Sequence, residues 1–162
     1  MKGQPQMTQK NTDKQESTIP HKQPNSEALH AALTEKAIGV IYSVYNELGH
    51  GFLESVYEEA MSIALQASGL RVERQVHLPV WFRGRQVGEF KADMIVEGAV
   101  LLELKAVRTL EPSHEAQTLH YLRSTNVEVA LLLNFGPRPQ IKRLVFDNAR
   151  KRPLPQSLQS GS

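Results

Sequence analysis

The chain has no cysteine among its 162 residues, which excludes disulfide frameworks, thiolate zinc sites and cysteine nucleophiles. Long apolar runs are missing as well. The longest, Val129 to Leu133, is far short of the ~20 residues that a membrane helix needs. No apolar stretch opens the sequence, so a secretory signal is not expected, and a cytoplasmic location without membrane association is the expectation. Aromatic residues are scarce, with Trp81 the single tryptophan. It is expected to pack on a sheet, because no second exposed aromatic is evident nearby to build a stacking platform for bases. Hydrophobic residues at 40% are enough for a core. The length suits one domain with tails, since domains usually run to ~100–200 residues.

Charge is spread unevenly behind a net value of +2. Residues 1–26 hold four Lys/Arg and two Asp/Glu, whereas Arg138, Lys142, Arg143, Arg150, Lys151 and Arg152 stand against Asp147 alone in residues 136–162. The middle, 27–135, has nine basic and fourteen acidic residues and so a net charge of −5. An acidic centre repels phosphate unless cations are added to it. Such a balance suits a metal site approached by a polyanion, with the C-terminal basic residues steering it. It equally suits an ordinary acidic domain followed by a solvated tail.

Residues 1–26 are rich in Gln, Lys, Thr, Ser, Asn and Pro without periodicity, the pattern of a disordered leader. From Leu33 the positions Leu33, Ala37, Val40, Ile41, Val44 and Leu48 have helical spacing. Gly49-His50-Gly51 breaks that helix, and a second is expected from Leu53 to Ala67, with Gly69 as its stop. Period-two alternation then predicts a strand over Val72–Phe82, a hairpin turn at Arg83-Gly84-Arg85, a strand over Val87–Val96, a turn at Glu97-Gly98, and a third strand over Val100–Val107. A third helix is expected over His114–Ser124 with Ser113 as N-cap. The apolar run Val127–Asn134 predicts a strand covered on both faces, and Ile141–Phe146 an edge strand. The domain is therefore expected over 27–148, with a flexible basic tail over 149–162.

The chemistry concentrates in Ala92-Asp93-Met94-Ile95 and, ten residues on, Glu103-Leu104-Lys105. Residues two apart on a strand share a face, so Glu103 and Lys105 project together. The turn at Glu97-Gly98 brings Asp93 to them. Two carboxylates with waters make a magnesium site, able to polarise a phosphate and to lower the pKa of a bound water. The lysine would orient that water or offset developing charge. The plainer alternative is a same-face ion pair on an exposed strand, worth little energetically.

An Asp on one hairpin strand and Glu-x-Lys on the next resembles the PD-(D/E)xK nuclease superfamily. Gly51-Phe52-Leu53-Glu54-Ser55-Val56-Tyr57 resembles the motif that names its GxxExxY family. Further resemblances are Gly88-Glu89 leading to Ala92-Asp93, Glu103-Leu104-Lys105-Ala106-Val107, His114-Glu115-Ala116-Gln117 followed by Tyr121, and Asn134-Phe135-Gly136. They cover about residues 33 to 147. The resemblance implies a restriction-endonuclease-like αβββαβ core, an α/β fold with a four-stranded mixed sheet flanked by helices. It also implies Asp93 and Glu103 as metal-binding acids, joined by Glu54 from the preceding helix. Lys105 would be the catalytic lysine, with Gln117 and Tyr121 lining the site. Ala92 stands where the superfamily name has Pro, a position that supplies no ligand.

Each helix residue also has a structural explanation. Glu54 favours a helix N-terminus through the dipole alone, Tyr57 is a packing residue, and Gln117 and Tyr121 share a face as any i, i+4 pair does. His114 is a proton carrier or, more simply, a structural residue. The function expected is a metal-dependent nuclease, using Mg2+ with Mn2+ as substitute, acting on nucleic acid and more specifically DNA. Arg138, Lys142 and Arg143 are the expected substrate contacts. The alternative is a non-catalytic nucleic-acid-binding or accessory module retaining the fold. Association with a second copy or a partner protein is left open.

Overall fold

A computed structural model describes residues 30–151, with Gly3 and Gln4; the expected leader, those two residues apart, and the tail beyond Lys151 lie outside the described residues. Two helices come first, α1 (Ala31–Leu48) and α2 (Glu54–Ala67). The strands β1 (Val72–Phe82), β2 (Arg85–Val96) and β3 (Val100–Lys105) follow, then α3 (Pro112–Arg123), β4 (Val129–Phe135) and β5 (Pro139–Val145). A short 3-10 turn, Asn148–Arg150, ends the described chain. The five strands form one sheet in the order β1-β2-β3-β4-β5, with β3 and β4 parallel and the other neighbours antiparallel. The expected four-stranded sheet thus gains β5, because Pro139–Val145 pairs residue by residue with β4.

Helices cover both faces of the sheet. Alternate residues of the central strands build one core with α1 and α2, including Ile41, Tyr57, Met61, Met94, Leu102, Leu104, Leu131 and Leu133. Ile95, Leu101 and Ala130 meet Tyr121 and Leu122 of α3 in the second. Every residue of β4 is buried, which is why its sequence shows no alternation.

Three local features differ from the expectations, each for a visible reason. Lys105 ends β3 two residues early, because the Asn134 side chain takes over the next pairing: its Oδ1 accepts from the Val107 N–H at 3.0 Å and its Nδ2 donates to the Val107 carbonyl at 2.9 Å. The N-cap of α3 is Glu111, not Ser113: Pro112 occupies the first turn, and the Glu111 N–H donates to His114 Nδ1 at 3.0 Å. His114 is therefore a capping residue.

The third difference lies in the sheet itself. Gln75 adopts a positive φ of 49°, and the β1–β2 register passes from Arg74↔Met94 to Val76↔Ala92 without pairing the residues between. Alternation breaks there. Met94 and Val96 pack with α1 and α2, whereas Phe90 and Ala92 pack with α3. An interruption of this kind bends a strand and re-aims its side chains.

Candidate active site

β2 and β3 pair over three positions only, Met94↔Leu102, Ile95↔Leu101 and Val96↔Val100. Beyond them the strands part, and Asp93 and Glu103 stand at the mouth of the split. Side chains replace the missing ladder. The Asp93 N–H donates to Glu103 Oε1 at 3.1 Å, and the Leu104 N–H donates to Asp93 Oδ2 at 2.8 Å. The expected proximity of the two acids is thus realised by direct cross-strand bonds, and Glu103 is only 3% exposed.

Burial dominates the electrostatics. It pushes Asp93 up to about 6; the Leu104 N–H opposes the shift, the charges of Glu54 and Glu58 add to it, and Lys105 opposes it again. Glu103 is pushed up to about 8, first by burial and then by the charge of Asp93, with the Asp93 N–H and Lys105 acting the other way. Glu54, the first residue of α2, is raised by burial, lowered by Lys105 and raised by Glu58. Glu54, Asp93, Glu103 and Lys105 therefore share one electrostatic neighbourhood. On α3, Tyr121 is 5% exposed and hydrogen-bonds with Gln117. Its hydroxyl is pushed up to about 12 by burial and by the charges of Glu103 and Asp93, which keeps it a proton donor at neutral pH.

Glu54 is held in place by its neighbours in sequence. Tyr57 is fully buried, and its ring stacks on Phe135 with centroids 4.3 Å apart. Its hydroxyl donates to the Gly49 carbonyl at 2.6 Å and accepts from the Phe52 N–H at 3.3 Å, fastening the loop that leads into Glu54. Glu58 ties the same helix to β1, accepting two 2.9 Å bonds from Gln75 and one of 3.3 Å from Arg74. On the other side, Tyr45 stacks on Phe135 and donates to the Gly136 carbonyl at 2.8 Å.

Residues 31–144 match the family model described as the PD-(D/E)XK nuclease superfamily. The chain belongs to that superfamily. No curated protein matches it. The solved structure described as "Crystal structure of SSO0001" is similar at 18% identity and a TM-score of 0.48. The match covers 73% of this chain, and the chain spans 59% of that one. The superfamily's nucleases generally work with divalent metal ions and bind nucleic acid.

Asp93 and Glu103 have the donor chemistry for such an ion. One oxygen of each is fixed by a backbone N–H, which orients the other, and the charge of Lys105 opposes the upward shift of both carboxyls without overcoming burial. Among the described residues, no group of three or more His, Asp or Glu is arranged to hold an ion without help; Glu54 acts on the acid pair through its charge but does not close a cluster with it. Two carboxylates fit magnesium nonetheless, since that ion usually keeps several waters and takes the rest of its shell from phosphate.

The three basic residues expected to touch substrate are not gathered in one place. Arg138 lies exposed in the β4–β5 turn, at the end of the sheet where Lys105 pairs with Asn134 and Asn134 with Gln140. Lys142 stands opposite Leu132, itself opposite Glu103, and its Nζ is engaged by Glu115 at 2.9 Å. Arg143 stands opposite Leu131, on the face that packs against α1 and α2. Sequence reading missed the positioning set Asn134, Tyr45 and Phe135, although Asn134-Phe135-Gly136 marked the segment. No helix among the described residues is long and apolar enough to cross a membrane.

Proposed function

We propose that the chain is a divalent-metal-dependent nuclease of the GxxExxY kind that hydrolyses phosphodiester bonds in DNA. The observation that carries this reading is the interlocked pair Asp93 and Glu103, a half-buried and a buried carboxylate at a strand split, with Lys105 beside them opposing but not cancelling the upward shift of both. Asp93 and Glu103 would hold the ion, magnesium or manganese, with Glu54 reaching it directly or through water. When bound, the ion would polarise the phosphate and raise the acidity of a coordinated water.

The chain's own residues supply the rest. Lys105 orients the attacking water and offsets negative charge as the bond to phosphorus forms. Glu54, raised by burial, would accept a proton. Tyr121 stays protonated and, aligned by Gln117, donates a hydrogen bond toward the substrate. Arg138 in the β4–β5 turn and Lys142 on β5 would each meet flanking phosphates, with Lys142 exchanging Glu115 for the substrate. Arg143 on the opposite face is the weakest of the expected contacts.

Calorimetric titration of magnesium and manganese into wild type and Asp93→Asn, followed by cleavage assays on DNA and RNA, tests the reading. Binding lost in the variant, with magnesium-dependent cleavage of DNA lost in Lys105→Ala, is the expected result. A folded wild type that takes up no metal even with a DNA duplex present would instead make the acid pair a structural clasp and the chain a non-catalytic module.

A further inference from the structure

The β1–β2 hairpin runs far beyond the sheet. β1 and β2 remain paired from Val76↔Ala92 to Phe82↔Arg85, while β3 accompanies β2 only over Met94–Val96. What projects is a two-stranded ribbon with strand segments of seven and eight residues, about 23–26 Å long at ~3.3 Å per residue. Its base is firm: Leu78 and Ala92 are buried with α3, and Phe90 packs edge-on against Tyr121 with centroids 4.8 Å apart. Past the break at Gln75 and Asp93, the ribbon's base residues Leu78, Phe90 and Ala92 pack on the face that carries Tyr121. Its outer half is solvated, with residues 82–89 all exposed.

The ribbon's charge is opposite to that of the domain it leaves. Residues 76–92 carry Arg83, Arg85 and Lys91 against Glu89 alone, whose Oε1 lies 3.1 Å from His77 Nδ1. At the tip the Arg83 guanidinium lies 5.1 Å above the ring of Phe82, itself 59% exposed. Stacking of this kind limits the arginine's rotamers while leaving its edge donors free for phosphate.

We propose that this ribbon is a docking arm for double-stranded DNA, lying in the major groove beside the candidate active site with Arg83 and Arg85 on the phosphates. The B-form major groove, ~12 Å wide, admits a two-stranded ribbon, whereas the major groove of duplex RNA is too narrow and deep for one. The arm rests on the nuclease reading for its purpose but has its own observable. It selects duplex DNA as the substrate class and fixes the side from which it approaches.

The test uses the full chain and a fluorescein-labelled DNA duplex of arbitrary sequence, with the same sequence as duplex RNA and as single-stranded DNA. Anisotropy is read in EDTA, where no cleavage occurs. The variant is Arg83→Asn with Arg85→Ala. Asn tolerates the positive φ of 49° at residue 83, and Asn-Gly is a favoured hairpin turn, so the arm stays folded. Arg71→Ala, which removes an exposed arginine paired with Glu97, is the charge control.

Wild type should prefer duplex DNA. The double variant should bind about tenfold or more weakly, and its slope of log affinity against log salt should fall by about two, near 0.9 for each phosphate that is no longer neutralised. Equal affinity in the double variant, an equally large weakening in Arg71→Ala, a preference for RNA or single strands, or no binding by wild type would each overturn the arm. Arm-dependent binding by a chain that cleaves nothing in magnesium would leave the arm standing and sink the nuclease reading.

Discussion

Asp93 and Glu103 each bond into the other's strand: Glu103 Oε1 accepts from the Asp93 N–H at 3.1 Å, and Asp93 Oδ2 accepts from the Leu104 N–H at 2.8 Å. The two carboxylates thereby close a sheet that would otherwise be open at this point. The same bonds hold two acidic groups together in a largely buried place, where the charge of Asp93 disfavours ionisation of Glu103. A proton or a cation relieves that conflict, so the clasp couples stability, pH and metal.

The sign of the pH effect follows directly. Asp93 rises from 3.8 to about 6 and Glu103 from 4.5 to about 8, so folding favours their protonated forms. Their stabilising contribution is fully present below the unfolded values, near pH 4, and is lost as pH rises through about 6 and then 8. Thermal melts in EDTA should therefore fall between about pH 5 and pH 8. The upward shift caused by millimolar magnesium should grow over the same window, because the ion competes with protons for the same oxygens. A magnesium shift equal at both ends would place the ion elsewhere.

Asp93→Ala and Asp93→Asn should both abolish cleavage and yet differ in stability. Alanine leaves the Leu104 N–H without its acceptor, a loss of about 1–3 kcal/mol. Asparagine keeps a carbonyl oxygen there and removes the charge that raises Glu103, so its melts should lose part of the pH dependence. Urea denaturation at neutral pH separates the two. An Asp93→Asn protein as active as wild type would end the metal assignment.

Tyr57→Phe should keep the stack on Phe135 and lose the tie between the Gly49 carbonyl and the Phe52 N–H. The expected loss is about 1 kcal/mol, with a fall in kcat for DNA cleavage as Glu54 loses its fixed approach. Reduced stability with unchanged kcat would show that Glu54 is placed without that loop.

Most of the fold was legible because its signals are local. The spacing of Ala37, Val40, Ile41 and Val44 and the alternation through Val72–Phe82 each identify an element by period, and Asp93, Glu103 and Lys105 follow from a hairpin and a period of two. Illegible were the features that depend on departures from period. The positive φ at Gln75 carries no glycine to announce it, so the turn of the ribbon toward α3 is invisible in sequence. Averaging charge over residues 27–135 hid a basic arm inside an acidic domain. The end of β3 could not be read either, since it is set by Asn134, which is remote in sequence from Val107.

Two glycine substitutions should shift stability in opposite directions and so test the packing around Lys105. At Gly136 an added Cβ would meet the Val107 carbonyl at 2.5 Å and Asn134 Nδ2 at 2.9 Å, inside the joint that holds the chain just past Lys105. Neither atom belongs to a flexible chain end: the carbonyl is backbone, and Nδ2 is committed to bonds with Val107 and Gln140. Gly136→Ala should therefore cost about 1–3 kcal/mol and lower the rate as well, because Lys105 ends β3 just before the Val107 segment that would move. At exposed Gly39 within α1 an added Cβ meets nothing within 4 Å, so Gly39→Ala should gain about 0.5–1 kcal/mol from helix propensity with activity unchanged. Urea midpoints and cleavage rates for the pair decide the matter. A Gly136→Ala protein as stable and active as Gly39→Ala would mean that the Asn134–Val107 joint is slack and does not position the lysine.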